Sequence, residues 1–311
     1  MVVTLLGSAD SLDRQSGRCG DSNYLTGLLA SPLSRFTVLS DLTPLVFAPR
    51  DSGSQPTIWL PASELDAEQP LNATVLFLGV CRTTHAAHFA LEMSPDTAAR
   101  LAAGNGVQPT VDFRTLASSG ELPSCDIAHA GLARSLFAWH NSAFFCGWCG
   151  SATMAIDGGW KRRCNACARE AFPRLDPVVI MLVTDGERCI LAHEPRYRER
   201  MYSCPAGYIE PGEDIAHAVA RETFEELGLT VIDVAIFSSQ PWPFPHSLMI
   251  GCVARCTPGP VTLDPTEILD ARWFTRREAT HLLANTHPEG LWVPGPQAIA
   301  HHLIQRFAGG E

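Results

Sequence analysis

The chain has 311 residues, 46% hydrophobic and 18% charged, which is enough apolar material for two buried cores and excludes a disordered chain. A formal net charge of −10 excludes a nonspecific grip on long nucleic acid through a basic face, while leaving room for a local basic pocket. No apolar run approaches the roughly 20 residues of a membrane helix, and the opening stretch is too short and uncharged for a secretory signal, so a cytoplasmic protein with no membrane partner is expected.

From residue 1 to about residue 130, short apolar runs (FTVLSD, PLVFAPR, PTIWLP, ATVLFLGV) alternate with Pro, Gly and Asp turns. The pattern predicts a mostly β region with a helix or two, and helical periodicity is visible near Asp96–Ala103 and Ile127–His140. His85 and His88 sit three apart, a spacing that would let them meet on a helix, although such pairs are more often plain polar surface. This region carries no chemical motif and no internal repeat.

Eleven cysteines are an odd number for a disulfide framework, and only four are regularly spaced, which favours a reducing compartment with one metal site. Cys146-Gly-Trp-Cys149 and Cys164-Asn-Ala-Cys167 are two CxxC knuckles separated by 14 residues. Two such knuckles converge on a closed tetrahedral S4 site with no open position for water, so a structural zinc is expected. Cys19, Cys81, Cys125, Cys189, Cys204, Cys252 and Cys256 read as small apolar fillers. Trp160-Lys161-Arg162-Arg163 between the knuckles suits a nucleic-acid contact and, equally, a solvated turn.

Beyond Pro177 the pattern becomes strand, Asp185-Gly186-Glu187 turn and strand, then a Gly/Pro loop at Pro205–Gly212. A helix over Asp214–Leu227 follows, closed by Gly228. Glu222 and Glu226 lie one turn apart on it, with Glu225 beside them. Ala216, Ala220, Thr223, Phe224 and Leu227 fall on the opposite face of the wheel and are expected to pack on the sheet. Like charges at this spacing destabilise a helix, and hard divalent cations such as Mg²⁺ or Mn²⁺ supply a reason for them. Bound to a diphosphate, such ions neutralise charge and lower the pKa of a water nucleophile. The Thr223 hydroxyl is expected to bond back to the preceding turn. Strands at Val234–Ser239, Leu248–Arg255 and Ala271–Phe274 and a helix at Gln297–Phe307 complete the chain.

Between two of these strands stands Gln240-Pro241-Trp242-Pro243-Phe244-Pro245-His246-Ser247. Proline has no N–H for a central strand, so the segment is expected to leave the sheet as a stiff loop. Trp242 and Phe244 on it would offer aromatic faces to a nicotinamide or adenine ring, with Gln240 and Ser247 as polar handles, unless the rings simply pack inward.

The run Gly207 to Leu229 matches the pattern G-x5-E-x7-R-E-U-x-E-E-x-G-U at every fixed letter, with Thr223 at a usually aliphatic place, and so resembles the Nudix hydrolase family. The SQPWPFPxS run and the four-cysteine ribbon before it are similar to the NADH pyrophosphatase group of that family, over about Phe145–Phe307. The resemblance implies an α/β (α+β) chain: a Nudix α/β/α sandwich with a mixed sheet at 171–311, a zinc ribbon at 143–170 and an N-terminal α+β domain at 1–142. It implies Glu222, Glu226, Glu267 and the backbone of Ala206 as ligands of Mg²⁺ or Mn²⁺, and Glu226, then Glu225, as proton acceptor. Glu213 and Arg221 become an orienting ion pair. Substrate contacts carried over are Gln240, Pro241, Trp242, Pro243, Phe244, Pro245, His246, Ser247 and Ala300, with Phe172 standing where the group often has Tyr. The implied activity is hydrolysis of NAD(H) to AMP and nicotinamide mononucleotide, with removal of NAD caps from RNA, by a homodimer. Alternatives are a Nudix hydrolase of ADP-ribose, diadenosine polyphosphates or coenzyme A, or a catalytically silent zinc-ribbon RNA-binding protein.

Overall fold

The computed structural model describes residues 11–49, 55–65, 75–107 and 112–310; the opening stretch and the start of the ATVLFLGV run lie outside them. It divides into two compact units. One is built from the described residues through Arg174 together with Trp242–His246, and the other from Leu175–Pro241 and the described residues from Ser247 on.

The N-terminal unit runs β1 (Leu12–Asp13), α1 (Ser22–Leu29), β2 (Arg35–Ser40), β3 (Thr43–Pro44), β4 (Leu60–Pro61), β5 (Val75–Cys81), β6 (Ala87–Glu92), α2 (Pro95–Asn105), α3 (Phe113–Ser119) and α4 (Ser124–Ser142). The ribbon strands β7 (Thr153–Ile156), β8 (Lys161–Cys164) and β9 (Glu170–Ala171) belong to the same unit. Its main sheet has the order β1-β5-β6-β2-β3, with β4 also on β2, and β2 and β6 are parallel. Helix α4 packs Ala133, Leu136 and Phe137 on Leu76, Leu78 and Ala90. The other face buries Phe36, Val38, Phe77 and Phe89 with Ala98 and Leu101 of α2. The helical content exceeds the expected helix or two. Helices α1 and α3 are short, and each is started by a side-chain cap, Asp21 or Asp112, rather than by long periodicity. His85 and His88 do not share a helix: His85 follows the turn at 82–84 with φ 56°, and His88 lies in β6, because the run alternates with period two.

The C-terminal unit runs β10 (Asp176–Thr184), β11 (Arg188–His193), β12 (Ala206–Tyr208), α5 (Ile215–Leu227), β13 (Val231–Trp242), β14 (Ser247–Cys256), β15 (Asp270–Thr275), α6 (Arg276–Leu283) and α7 (Ile299–Ala308). Its mixed sheet has the order β13-β14-β10-β11-β15, with β12 on β10, and β10 and β14 run parallel from Asp176↔Ser247 to Thr184↔Arg255. Central β10 is apolar on both faces, as a doubly covered strand must be. Val179, Met181 and Val183 meet α5, whereas Ile180 and Leu182 join the core that holds α6 and α7. This is an α/β/α sandwich. The sequence reading missed α6, whose apolar pattern is thin but whose start carries a capping box between Thr275 and Glu278.

Two expectations change here. Strand β13 continues through Pro241 to Trp242 because it is the sheet edge, where a missing N–H costs no ladder bond. Helix α5 buries Ala218, Val219, Glu222, Thr223, Glu226 and Leu227, so both glutamates lie on the face turned to the protein. Ala216 and Phe224, expected on that face, are exposed, Phe224 by 61%. The buried stripe instead starts at Ala218–Val219 and recurs every four residues, about one turn, at 222–223 and 226–227. Of the seven filler cysteines five are buried, while Cys81 is partly exposed and Cys125 exposed. No helix among the described residues is long and apolar enough to cross a membrane.

Candidate active site and zinc centre

In the ribbon, the four predicted thiols converge: the sulfurs of Cys146, Cys149, Cys164 and Cys167 all lie within 4.8 Å of one another. The Cys149–Cys164 and Cys146–Cys167 separations are 3.4 and 3.8 Å. A tetrahedron with Zn–S bonds of about 2.3 Å separates its sulfurs by about 3.8 Å, so the set fits zinc. No cysteine is in a disulfide. Hydrogen bonds from Ser151 hold the Cys149 thiol down to about 6, toward the thiolate that metal binding needs. The ribbon is anchored to α4 by His140, buried between the Gly159 carbonyl (2.8 Å from Nε2) and Arg162 Nη1 (2.7 Å from Nδ1). Arginine only donates, so Nδ1 accepts and Nε2 carries the hydrogen. Trp160 donates to the Phe77 carbonyl at 2.7 Å, and Arg162 also bonds Thr153. Two members of the Trp160–Arg163 run are thereby used inside the unit.

On α5, Asp214 caps the start by accepting from the His217 N–H, and Gly228 ends the helix in the left-handed region at φ 69°. The strand Ala206–Tyr208 passes so close that a Cβ on Gly207 would stand 1.9 Å from the Glu222 carboxyl carbon. Only glycine lets this carboxylate lie against the strand beside Ala206. Arg221 holds the group in place, reaching Glu213 at 2.6 Å, Glu222 at 2.8 Å, Glu225 at 2.9 Å and the Tyr208 carbonyl at 2.9 Å. The hydrogen bonds of Arg221 hold the Glu213 carboxyl down to about 2. Burial raises the Glu222 carboxyl. Glu226, 5% exposed, is pushed up to about 8 by burial and by the charges of Glu222, Glu194 and Glu267. Its Oε2 is buried with no hydrogen-bond partner. A buried, partnerless carboxylate oxygen beside a second carboxylate and a strand backbone suits a hard divalent cation, which takes oxygen ligands.

Glu225 is exposed, and Glu267 is exposed in the turn before β15, with its charge reaching both Glu222 and Glu226. Gln240 is fully buried: its Nε2 donates to the Gln297 carbonyl and its Oε1 accepts from the Ile299 N–H, each at 2.8 Å. It thus caps α7, in which Ala300 is buried. Ser247 opens β14 and is buried. Trp242–His246 belong to the N-terminal unit, where Arg134 donates to the Pro243 carbonyl at 2.8 Å and Ser135 to that of Pro245 at 2.9 Å. Gly131 leaves room for Pro243. Phe244 lies 5.0 Å from Trp242 and 5.7 Å from Phe113, and the Arg114 guanidinium covers it at 4.4 Å. Pro241 and Pro245 are exposed and His246 buried. Phe172, in the ribbon, is 62% exposed with Lys161 5.5 Å from its ring. Within the C-terminal unit Glu222 lies against the strand of Ala206 and Gly207 and the charge of Glu267 reaches Glu222 and Glu226, whereas Phe172 and Trp242–His246 lie in the other unit. The expected Thr223 bond to the preceding turn is absent, and Oγ1 is buried without a partner. Sequence reasoning passed over Gly207 as a cradle, the exposed Tyr208 beside it, and Glu194, whose only signal was a charged run after a strand. A cavity of about 280 Å³ lined by His193, Tyr202, Arg272 and Glu289 contains none of the α5 carboxylates.

A sandwich with paired carboxylates on one helix, cradled by a glycine strand, defines a hydrolase of the Nudix type, and comparison with known proteins agrees. Residues 174–293 match the NUDIX domain, 142–172 the NADH pyrophosphatase zinc ribbon domain, and 33–139 the NADH pyrophosphatase-like rudimentary NUDIX domain. The human NAD-capped RNA hydrolase NUDT12 is 35% identical over 95% of this chain and 71% of its own length. The NAD-capped RNA hydrolase NudC of Stutzerimonas stutzeri is 40% identical over 57% of this chain and 60% of its own, and that of Mycobacterium bovis 42% over 58% and 59%. The chain belongs to the Nudix hydrolase family, within its NADH pyrophosphatase group.

Proposed function

We propose that the chain hydrolyses the diphosphate linkage of NAD(H), releasing AMP and nicotinamide mononucleotide, and cuts the same linkage where NAD caps an RNA 5′ end. The observation that carries this reading is the pair buried on α5, Glu222 against Gly207 and Glu226 with one carboxylate oxygen unsatisfied. Glu222, Glu226, Glu267 and the Ala206 backbone would hold Mg²⁺ or Mn²⁺, which when bound neutralises phosphate charge and makes water a better nucleophile. Arg221 fixes the Glu222 carboxylate toward the strand. Glu226 takes the proton from the attacking water, with Glu225 second, because Glu226 Oε2 is buried beside Glu222 with no hydrogen-bond partner of its own. Gln240 acts through α7, whose start it fixes beside Ala300. Phe172, Trp242 and Phe244 carry aromatic faces of the kind that stack on a base, and Pro241, Pro243, Pro245, His246 and Ser247 set the course of the segment between β13 and β14. The domain limits 1–142, 143–170 and 171–311, a homodimer and a cytoplasmic setting belong to the same reading; light scattering in solution checks the dimer.

The test is product analysis with NADH and with a 5′-NAD RNA under added Mg²⁺ or Mn²⁺. AMP with nicotinamide mononucleotide, and 5′-monophosphate RNA, are expected. Glu226→Gln should lower turnover about 10²–10⁴-fold with zinc content intact. Faster cleavage of ADP-ribose, diadenosine polyphosphates or coenzyme A would replace NAD(H) as the substrate, and RNA binding without metal-dependent turnover would leave a binding protein.

A further inference from the structure

Just beyond β11 stands Glu194-Pro195-Arg196-Tyr197. Ile190 faces the core under α5, and the two-residue period of the strand carries that face through Ala192 toward Glu194. The Glu194 carboxylate accepts from the Tyr197 hydroxyl at 2.5 Å and pairs with Arg196 Nε at 2.6 Å. Only 13% of the Glu194 side chain is exposed, against 72% of Arg196. Continued along the face that Ile190 turns to α5, the chain brings the trio out of β11 on the side of the sheet that carries Glu222 and Glu226.

The electrostatics of this region set a problem. Glu194, Glu222, Glu225, Glu226 and Glu267 are all acidic, and a diphosphate entering among them is repelled unless cations meet it. Arg221 is engaged by three carboxylates and a carbonyl. Arg196 gives its Nε–H to Glu194 and its guanidinium also meets the Tyr197 hydroxyl, while the outward donors of the planar fork match phosphate oxygens. An exposed ion pair contributes little to stability, about 0–1 kcal/mol, so a doubly anchored glutamate holding an outward arginine is poorly explained as a fold support.

We propose that Arg196 is a substrate-binding residue that grips the dinucleotide's diphosphate beside the α5 carboxylates, and that Glu194 and Tyr197 are its positioning residues. This rests on the diphosphatase reading above. Glu194 fixes the Nε edge of the guanidinium, and the Tyr197 hydroxyl fixes Glu194, so the fork is oriented before substrate arrives.

Steady-state kinetics with NADH, and calorimetry with a methylene-bridged, uncleavable analogue of NAD, test it. Arg196→Met should raise KM and weaken analogue binding about tenfold while kcat changes less than about threefold, as loss of a charge-assisted contact predicts. Arg196→Lys should recover part of that loss, since it restores charge without the fork. Glu194→Gln should weaken binding less, and adding it to Arg196→Met should do no further harm, because Glu194 acts through Arg196. Unchanged KM and analogue affinity in Arg196→Met would overturn the proposal, as would a loss confined to kcat. A double variant much worse than Arg196→Met alone would overturn the positioning role. Should the wild-type protein cleave no dinucleotide, the diphosphatase reading fails, while the binding arm still decides for or against Arg196.

Discussion

Helices α4 and α5 each lie across a mixed sheet with one internal parallel pair, β2 with β6 in one unit and β10 with β14 in the other. Helix α4 meets its sheet with Ala133, Leu136 and Phe137, and the polar side chains it buries, His129 and His140, are held as neutral rings. Helix α5 puts Glu222 and Glu226 on the corresponding buried stripe, among Ala218, Val219 and Leu227. The N-terminal region matches a rudimentary NUDIX domain, and its helix α4 buries no carboxylate where α5 buries Glu222 and Glu226. One architecture thus serves as scaffold in one unit and as chemistry in the other, and the difference rests on a few side chains.

Metal removal should break the comparison hardest, because the N-terminal unit uses its metal for structure. Structural zinc sites contribute on the order of 10 kcal/mol or more of folding free energy. Cys149→Ser should therefore lose bound zinc and hydrogen-exchange protection over β7, β8 and the end of α4, where His140 meets Gly159. Retained protection without zinc would show that the ribbon stands on its own packing. In the C-terminal unit the sharper probe is Gly207→Ala. The added methyl competes with the Glu222 carboxyl for one place, so turnover should fall about 10²-fold or more with zinc content unchanged. Wild-type kinetics in that variant would mean Glu222 need not lie against the strand.

Opposite pH responses follow from the same contrast. His129 and His140 are lowered from 6.5 to about 4 by burial, aided by His88 at His129 and by Arg162 at His140. Between those values the unfolded chain binds more protons, so stability of the N-terminal unit should fall as pH drops from 6.5 toward 4, on the order of 3 kcal/mol for each ring. Glu226 is raised from 4.5 to about 8, so without divalent metal its contribution is present below pH 4.5 and lost as pH rises through 8. Hydrogen exchange resolved by unit, with and without Mn²⁺, checks both signs. Parallel responses in the two units would break the contrast.

The sequence made some features legible and hid others for physical reasons. Both CxxC knuckles and the hairpin around Gly186 were readable because ligand spacing and turn chemistry are local. The α5 boundaries were readable from Asp214 and Gly228 for the same reason. The buried stripe of α5 was misread, since charged residues are normally assigned outward and Phe224 inward, whereas the site inverts both. Gly207 looked like a loop residue because its neighbour in space, Glu222, is far along the chain. The N-terminal sheet was hidden as a relative of the C-terminal one because its parallel pair is set by long-range register, which short apolar runs do not encode.

Thr223 gives the smallest and most exacting test of that stripe. It is fully buried between Glu222 and the sheet side of α5, and its hydroxyl makes no hydrogen bond. An unpaired buried hydroxyl costs about 1–3 kcal/mol, and valine has nearly the same shape without the polar atom. The β-branch that limits helix propensity is common to both residues, so propensity does not oppose the change. Thr223→Val should therefore stabilise the C-terminal unit by about 1 kcal/mol in denaturant unfolding and leave kcat unaltered, because no carboxylate bonds to the hydroxyl. A loss of stability would mean that Oγ1 has a partner in solution, such as water, and that α5 is wetter at its centre than its packing shows.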